Sequence, residues 1–246
     1  LIILRRPDHP WPLVLGGNRD EMSDRPWDPP ARHWGDRPEV VAGQDRLAGG
    51  SWMGINDLGA VAVVMNRVGS LGPDPQRRSR GELVLDALAH AQAAPAARSL
   101  AERDAASYRP FNLFLGDRRD ALWLRNDGSR IRVSPVPPGV HMLTARELDD
   151  TTDPRIAAYL PRFRAASAPD PAAGAGACAD WIALLGSREP VPGAPANSAM
   201  CFSLQDGFAT LSSALISIPA APGRDARTSW LFAAGPPDRS EFSPVC

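Results

Sequence analysis

The stretch GGNRDEMSDRP, residues 16–26, follows the apolar run PLVL (Pro12 to Leu15). It sets two glycines, an amide, a guanidinium and two carboxylates at the end of what reads as a strand. Asn and Asp cap turns by bonding local backbone, and Arg–carboxylate pairs solvate a surface. Taken alone, the cluster therefore reads as an ordinary polar turn. Its neighbours decide how much more it is. LIIL (Leu1 to Leu4) reads as a buried strand, RRPDHPW as a turn and PLVLG as a second strand, so Leu1–Leu4 and Pro12–Gly16 are expected to pair as an antiparallel hairpin. That hairpin would return Asn18 and Asp20 to the start of the chain.

Downstream, residues 22–35 are proline-rich and read as a loop anchored by Trp27 and Trp34. A second hairpin is expected from Ser51–Ile55 and Ala60–Asn66 around the turn Asn56-Asp57-Leu58-Gly59. Ser79-Arg80-Gly81-Glu82 has the form of a capping box, with Leu83, Leu85, Ala87 and Leu88 supplying the core face of the helix that follows. A second helix is expected over Ala96–Ser107. NLFLGD, ALWLRND and SRIRVSP read as a meander and VHMLTA as a further strand. Pro154 starts a helix that Pro161 should kink or end, and Cys178–Leu185 gives another. MCFSLQ, GFATLSSALISIP and SWLFAAG read as C-terminal strands. Runs of antiparallel strands with helices between them, and no internal repeat, predict a layered α+β fold of two sheets with helices outside. The 246 residues, 43% of them hydrophobic, suffice for one sizeable core and are expected to form a single domain over 1–246.

Composition narrows the function classes. A net charge of −1 argues against a nucleic-acid-binding face. All 27 basic residues are Arg, which with 26 Pro reads as a coding bias rather than a phosphate-binding design. No apolar run approaches the ~20 residues that span a membrane, and no signal peptide is visible. Cys178, Cys201 and Cys246 are widely spaced and form no CxxC pair, so neither a metal site nor a disulfide framework is expected, and a cytoplasmic setting fits. His9, His33, His90 and His141 show no metal-ligand spacing. The oligomeric state is left open.

Four segments carry a resemblance. Asn18-Arg19-Asp20-Glu21 with Arg25-Pro26, AGGSWMGIN (Ala48 to Asn56), GAVAVVMNR (Gly59 to Arg67) and SRGELV (Ser79 to Val84) resemble, in order, the NRDE family, which is the transport and Golgi organisation protein 2 family. The resemblance covers essentially the whole chain and is most specific in the N-terminal third. It implies a fold similar to the N-terminal nucleophile hydrolases, a four-layer αββα sandwich of two antiparallel sheets. In those enzymes an N-terminal Cys attacks an amide and its own α-amine, with a pKa of roughly 7.7–8.0, is the base.

Carried over residue by residue, the resemblance implies catalytic parts for Asp20, orienting the amine, and Asn66, donating to the oxyanion, provided that a Cys precedes Leu1. A ligand-binding set of Asn18, Arg19, Asp20, Trp52 and Asn66 is expected, converging at the head of the first strand. Arg19 would neutralise Asp20 or hold a substrate carboxylate, and Glu21 would be a solvated partner. Val14, Trp52 and Val63 would wall the ligand. Two positions depart from the family's pattern: Ala145 stands where many members have Asn, and Leu211 where an Arg is often seen. Leu1 supplies no nucleophile. LIIL nevertheless reads as a strand already under way, which favours residues before it.

The expected function is accordingly the binding or trafficking of a small amphiphile, haem or acyl-CoA-like, with no required cofactor. The alternative is an amide hydrolase whose Cys lies upstream of Leu1. Trp27, Trp34 and Trp52 either face such a ligand or pack in the core. His33 and Met53 are the candidates nearest the signature for haem ligation, although surface or core placement is their default.

Overall fold

A computed structural model of the chain describes all residues except 73, 174, 222–226 and 246. The reading of Cys246 thus lies outside the described residues. In chain order the strands are β1 (Ile2–Arg5), β2 (Leu13–Met22), β3 (Trp27–Ala31), β4 (Val40–Asp45), β5 (Met53–Asn56), β6 (Val61–Asn66), β7 (Phe111–Gly116), β8 (Ala121–Asn126), β9 (Ile131–Pro135), β10 (Gly139–Met142), β11 (Phe208–Ile218), β12 (Ser229–Ala233) and β13 (Ser243–Pro244). The helices are α1 (Gly81–Leu88), α2 (Ala93–Ala101), α3 (Pro154–Ala165) and α4 (Ala179–Leu185). They form an α+β chain with two antiparallel sheets, as expected, and divide into two compact units: residues 1–25, 138–143 and 147–246, and residues 26–137 with 144–146.

The first unit holds a sheet in the order β10-β1-β2-β11-β12-β13. The β1–β2 hairpin forms with Ile2 opposite Gly16 and Leu4 opposite Val14. Ile2, Leu4, Val14 and Leu215 from the sheet pack with Ile156, Tyr159, Leu160 and Phe163 of α3 and Trp181 and Leu185 of α4. Gly16 lets this happen: a Cβ there would stand 3.0 Å from the Trp181 ring. Val14 is fully buried in this cluster, so it is core rather than a ligand wall.

Three expectations fail here. β2 does not stop at Gly16 but runs through the polar cluster to Met22, because β11 pairs with it from Phe208 to Ile218. Of the two outcomes expected at Pro161, an end to the helix does not occur: α3 passes through it and ends at Ala165. Pro161 is exposed, while Tyr159, Leu160 and Phe163 are buried, and their burial offsets the lost backbone bond and ring clash, which cost about 3 kcal/mol in a helix interior. MCFSLQ is not a strand. It folds back instead around Gly207 at φ +89°, with Leu204 N–H donating to Phe208 O, Thr210 N–H donating to Phe202 O and an isolated Ser203–Ala209 bridge to β11.

In the second unit the sheet order is β3-β4-β5-β6-β7-β8-β9, an unbroken meander. α1 and α2 bury Leu83, Leu88, Ala97 and Leu100 with Val40, Ala62, Leu113 and Leu115 of the sheet. The expected turn at Asn56–Gly59 forms, with Asn56 Oδ1 accepting from Leu58 and Ala60 N–H, and Gly59 at φ +87°. Residues 22–35, expected as loop, contain β3. Its two prolines are tolerated because β3 is an edge strand, and its register slips between Asp28 and Ala31. The capping box does not close: Ser79 Oγ accepts from Gly81 N–H, but Glu82 turns to Arg78 at 2.6 Å. α2 starts at Ala93, earlier than expected, because the Asp117 carboxylate caps its first N–H at 2.8 Å. Among the described residues no helix is long and apolar enough to cross a membrane.

Two signature segments owe their glycines to one contact. Gly50 of AGGSW lies backbone to backbone with Gly81 of SRGELV, and Ser51 N–H donates to Gly81 O at 3.1 Å. Gly43 gives the Trp52 ring its floor, since a Cβ would come within 2.3 Å of it. Trp27 meets Trp52 edge to face at 5.7 Å.

Candidate functional site

Side chains alternate along a strand, so Gly16, Asn18, Asp20 and Met22 share one face of β2 and Arg19 takes the other. Opposite them on β11, Thr210 pairs with Asp20 and Phe208 with Met22. The Asp20 carboxylate is held on both oxygens. Oδ1 accepts from Thr210 Oγ1 at 2.8 Å, and Oδ2 from Arg155 Nη1 at 3.0 Å. Thr210 is fully buried and also takes the Phe202 N–H, so its hydroxyl has a fixed direction. Arg155 lies over the Phe202 ring at 5.3 Å and donates through Nη2 to Asn197 O. Phe202 in turn packs on Phe208, with ring centroids 5.8 Å apart. An acid–guanidinium pair therefore borders the buried Phe202 ring, the half-buried Phe208 and the exposed Met22.

The backbone nitrogen of Leu1 belongs to the same neighbourhood and donates to Leu143 O at 2.9 Å. Leu1 is only partly buried as a residue, but this nitrogen lies inside. For a chain opening here, burial and the Arg155 guanidinium push its amine down to about 5, against the pull of Asp20 and Asp153.

Asn18 does other work. Its Nδ2 donates to Leu185 O, at the end of α4, and to Met200 O, at 3.0 and 2.8 Å. The first of these is a carbonyl that a helix end leaves open. Arg19 is mostly buried, on the face away from Asp20, opposite Ser212 in register. The guanidinium on Asp20 is that of Arg155, a residue the sequence reading did not single out. Glu21 accepts from Met22 N–H and stands 3.7 Å from Arg25, a partly exposed pair. Leu211 is the extra residue of a bulge between Thr210 and Ser212.

Trp52 and Asn66 fall in the second unit, Asn66 as the last residue of β6 opposite Phe111. Beside that strand end, Asn112 is fully buried and uses every hydrogen-bonding position it has. Its Nδ2 donates to Thr144 O and Arg146 O at 2.8 and 2.7 Å, while Oδ1 accepts from Arg67 Nη1 and Trp123 Nε1. Val68 N–H takes Ala145 O at 3.1 Å. Three successive carbonyls around Ala145 are thus tied to this unit.

His33 donates its Nε2–H to Pro29 O at 2.8 Å, and Met53 is buried. Among the described residues no group of three His, Cys, Asp or Glu side chains stands where a metal ion could be held. Cys178 and Cys201 are buried and unbonded to each other. Burial and then the Asp238 carboxylate push the Cys201 thiol up to about 11, and burial raises Cys178. Iodoacetamide at pH 8 should leave both unmodified in the folded protein and alkylate both in urea, read by peptide mapping.

The family description Transport and Golgi organisation 2 matches residues 1–170. The Transport and Golgi organization 2 homolog of Mus musculus is 39% identical over 75 residues, 29% of this chain and 26% of that protein. The homolog of Bos taurus is 34% identical over 110 residues, 43% of this chain and 38% of that protein. The matches thus span between a quarter and two fifths of these relatives' length. Among solved structures, the Caenorhabditis elegans N-acylethanolamine-hydrolyzing acid amidase ortholog superposes with a TM-score of 0.58 at 12% identity, covering 91% of this chain and 94% of that one. Conjugated bile acid hydrolase of Clostridium perfringens gives 0.51 at 10% identity, over 99% and 95%. At these identities the likeness is one of fold, the N-terminal nucleophile hydrolase fold.

Proposed function

The chain belongs to the Transport and Golgi organisation 2 family, and on that premise we propose that it binds a small amphiphilic molecule, with haem and long-chain acyl-CoA as the classes to test. The observation that carries this reading is the Asp20–Thr210–Arg155 cluster beside Phe202, Phe208 and Met22. It sets a fixed polar anchor next to apolar side chains, of which Phe208 and Met22 reach solvent, the pairing that an amphiphile's head and body need. Haem enters this reading as cargo. His33 gives its Nε2–H to a carbonyl and Met53 is buried, so neither is presented as an axial ligand.

Asp20→Ala removes the carboxylate that both Arg155 and Thr210 address. It is expected to weaken binding of palmitoyl-CoA or haemin about tenfold and to cost about 1–3 kcal/mol of stability, read by titration and urea unfolding. Unchanged affinity for a probe that the parent binds would remove Asp20 from the site.

A second reading is amide hydrolysis by a Cys immediately before Leu1. It is favoured by the fold likeness to an acid amidase and a conjugated bile acid hydrolase and by the buried nitrogen at the head of β1, within the electrostatic reach of Asp20. Ala145 offers no side-chain donor to an oxyanion, and losing one such donor costs ~10²–10³ in kcat, so this activity would be slow. A version with Cys restored before Leu1, assayed on acyl amides beside the Leu1 form, tests it. Turnover by the restored form alone supports hydrolysis, and turnover by neither removes it.

A further inference from the structure

Arg155 is the second residue of α3, behind the Asp153 cap and Pro154. The start of a helix repels a cation, so a guanidinium there needs carboxylates to hold it. Asp153 is spent on capping, its side chain accepting from Arg155 N–H at 2.9 Å. The Arg155 side chain reaches across to β2, where Nη1 meets Asp20 Oδ2 while Nη2 ties the chain at Asn197. The Phe202 ring lies against the guanidinium. A planar fork with two bonds and a stacked face has little freedom, and neither does the carboxylate that it holds. Thr210, the other partner of Asp20, carries no charge. Arg155 is therefore the cation seen on this carboxylate.

We propose that Arg155 is the positioning residue of this site: it fixes the direction of the Asp20 carboxylate and offsets its charge, so that a polar group at the head of β1 meets an acceptor tuned from α3. The proposal rests on taking the Asp20 end of β2 as the functional site. Its test is read without ligand, so failure of the binding reading and failure of this one are separate results. The nitrogen of Leu1 serves as the probe. The charged groups acting on it are Arg155, which pushes its proton off, and Asp20 and Asp153, which hold it on. Removing Arg155 leaves burial alone to oppose the pull of Asp20 and Asp153.

The experiment is a pH titration of the Leu1 13Cα shift in the full chain that opens at Leu1, for the parent, Arg155→Gln, Arg155→Lys and Asp20→Asn. Arg155→Gln is expected to raise the midpoint by about one unit, and Asp20→Asn to lower it. Arg155→Lys, which keeps the charge, should stay within about half a unit of the parent. If Arg155→Gln does not fold, the Asp20→Asn/Arg155→Gln double variant, which leaves no buried carboxylate alone, is read against Asp20→Asn and should lie higher. An unmoved midpoint in either comparison overturns the proposal. So does an equal rise in Arg155→Lys and Arg155→Gln with equal loss of melting temperature, which would make Arg155 a structural prop only.

Discussion

Gly50→Ala is expected to destabilise the protein by about 3 kcal/mol, the upper end of what overpacking usually costs. The new Cβ would stand 2.5 Å from the Gly81 carbonyl carbon, 2.8 Å from its Cα and 2.9 Å from its oxygen. All three are backbone atoms and have no rotamer to escape into. Relief requires lifting the first turn of α1 from the chain before β5, which breaks the Ser51–Gly81 bond and loosens Leu83, Val84 and Leu88 in the core. Gly35→Ala is the control. Nothing lies within 4 Å of its Cβ position, so its change should stay within about 0.5 kcal/mol. Urea unfolding of the three proteins decides it. A Gly50→Ala protein within about 1 kcal/mol of the parent would mean that the two signature glycines do not meet as described.

Asn112→Ala should cost about 3–5 kcal/mol, because several buried groups lose a partner at ~1–3 kcal/mol each. The Trp123 indole N–H and an Arg67 N–H lose their acceptor, and the carbonyls of Thr144 and Arg146 lose their donor. Asn112→Asp is no rescue, since a carboxylate would face those two carbonyls with no proton to give. The local consequence falls on residues 144–146. Hydrogen exchange at the Val68 amide, which donates to Ala145 O, should speed up in proportion to the lost tether. Unchanged unfolding and unchanged Val68 exchange would show that Asn112 does not hold this segment.

Local chemistry was legible in the sequence. The Asn56–Gly59 turn, the β1–β2 hairpin and the β7–β9 meander all follow from turn residues between apolar runs. What stayed hidden depends on distant partners. The signature continues β2 because β11 lends it a ladder, and Asp20 meets Thr210 and Arg155, 190 and 135 positions away. A lone Arg in DPRIAAY gives one hint, being a cation in the first turn of a helix, which invites a search for its acid. Trp27–Ala31 was obscured by its prolines, which an edge strand accepts. Pro161 does not end α3, because the burial of Tyr159, Leu160 and Phe163 carries the helix past it. The family resemblance reached the right fold, while strand alternation turns Arg19, one of whose two expected roles was to neutralise Asp20, to the other face.

On the proposed function, the Asp20 end of β2 anchors an amphiphile. Isothermal titration of palmitoyl-CoA and of haemin into the full chain and its Asp20→Ala variant tests it most directly. Saturable, one-to-one binding of at least one probe by the parent is expected, with affinity about tenfold weaker in the variant. Saturable binding of neither probe, or equal affinity in parent and variant, would contradict it.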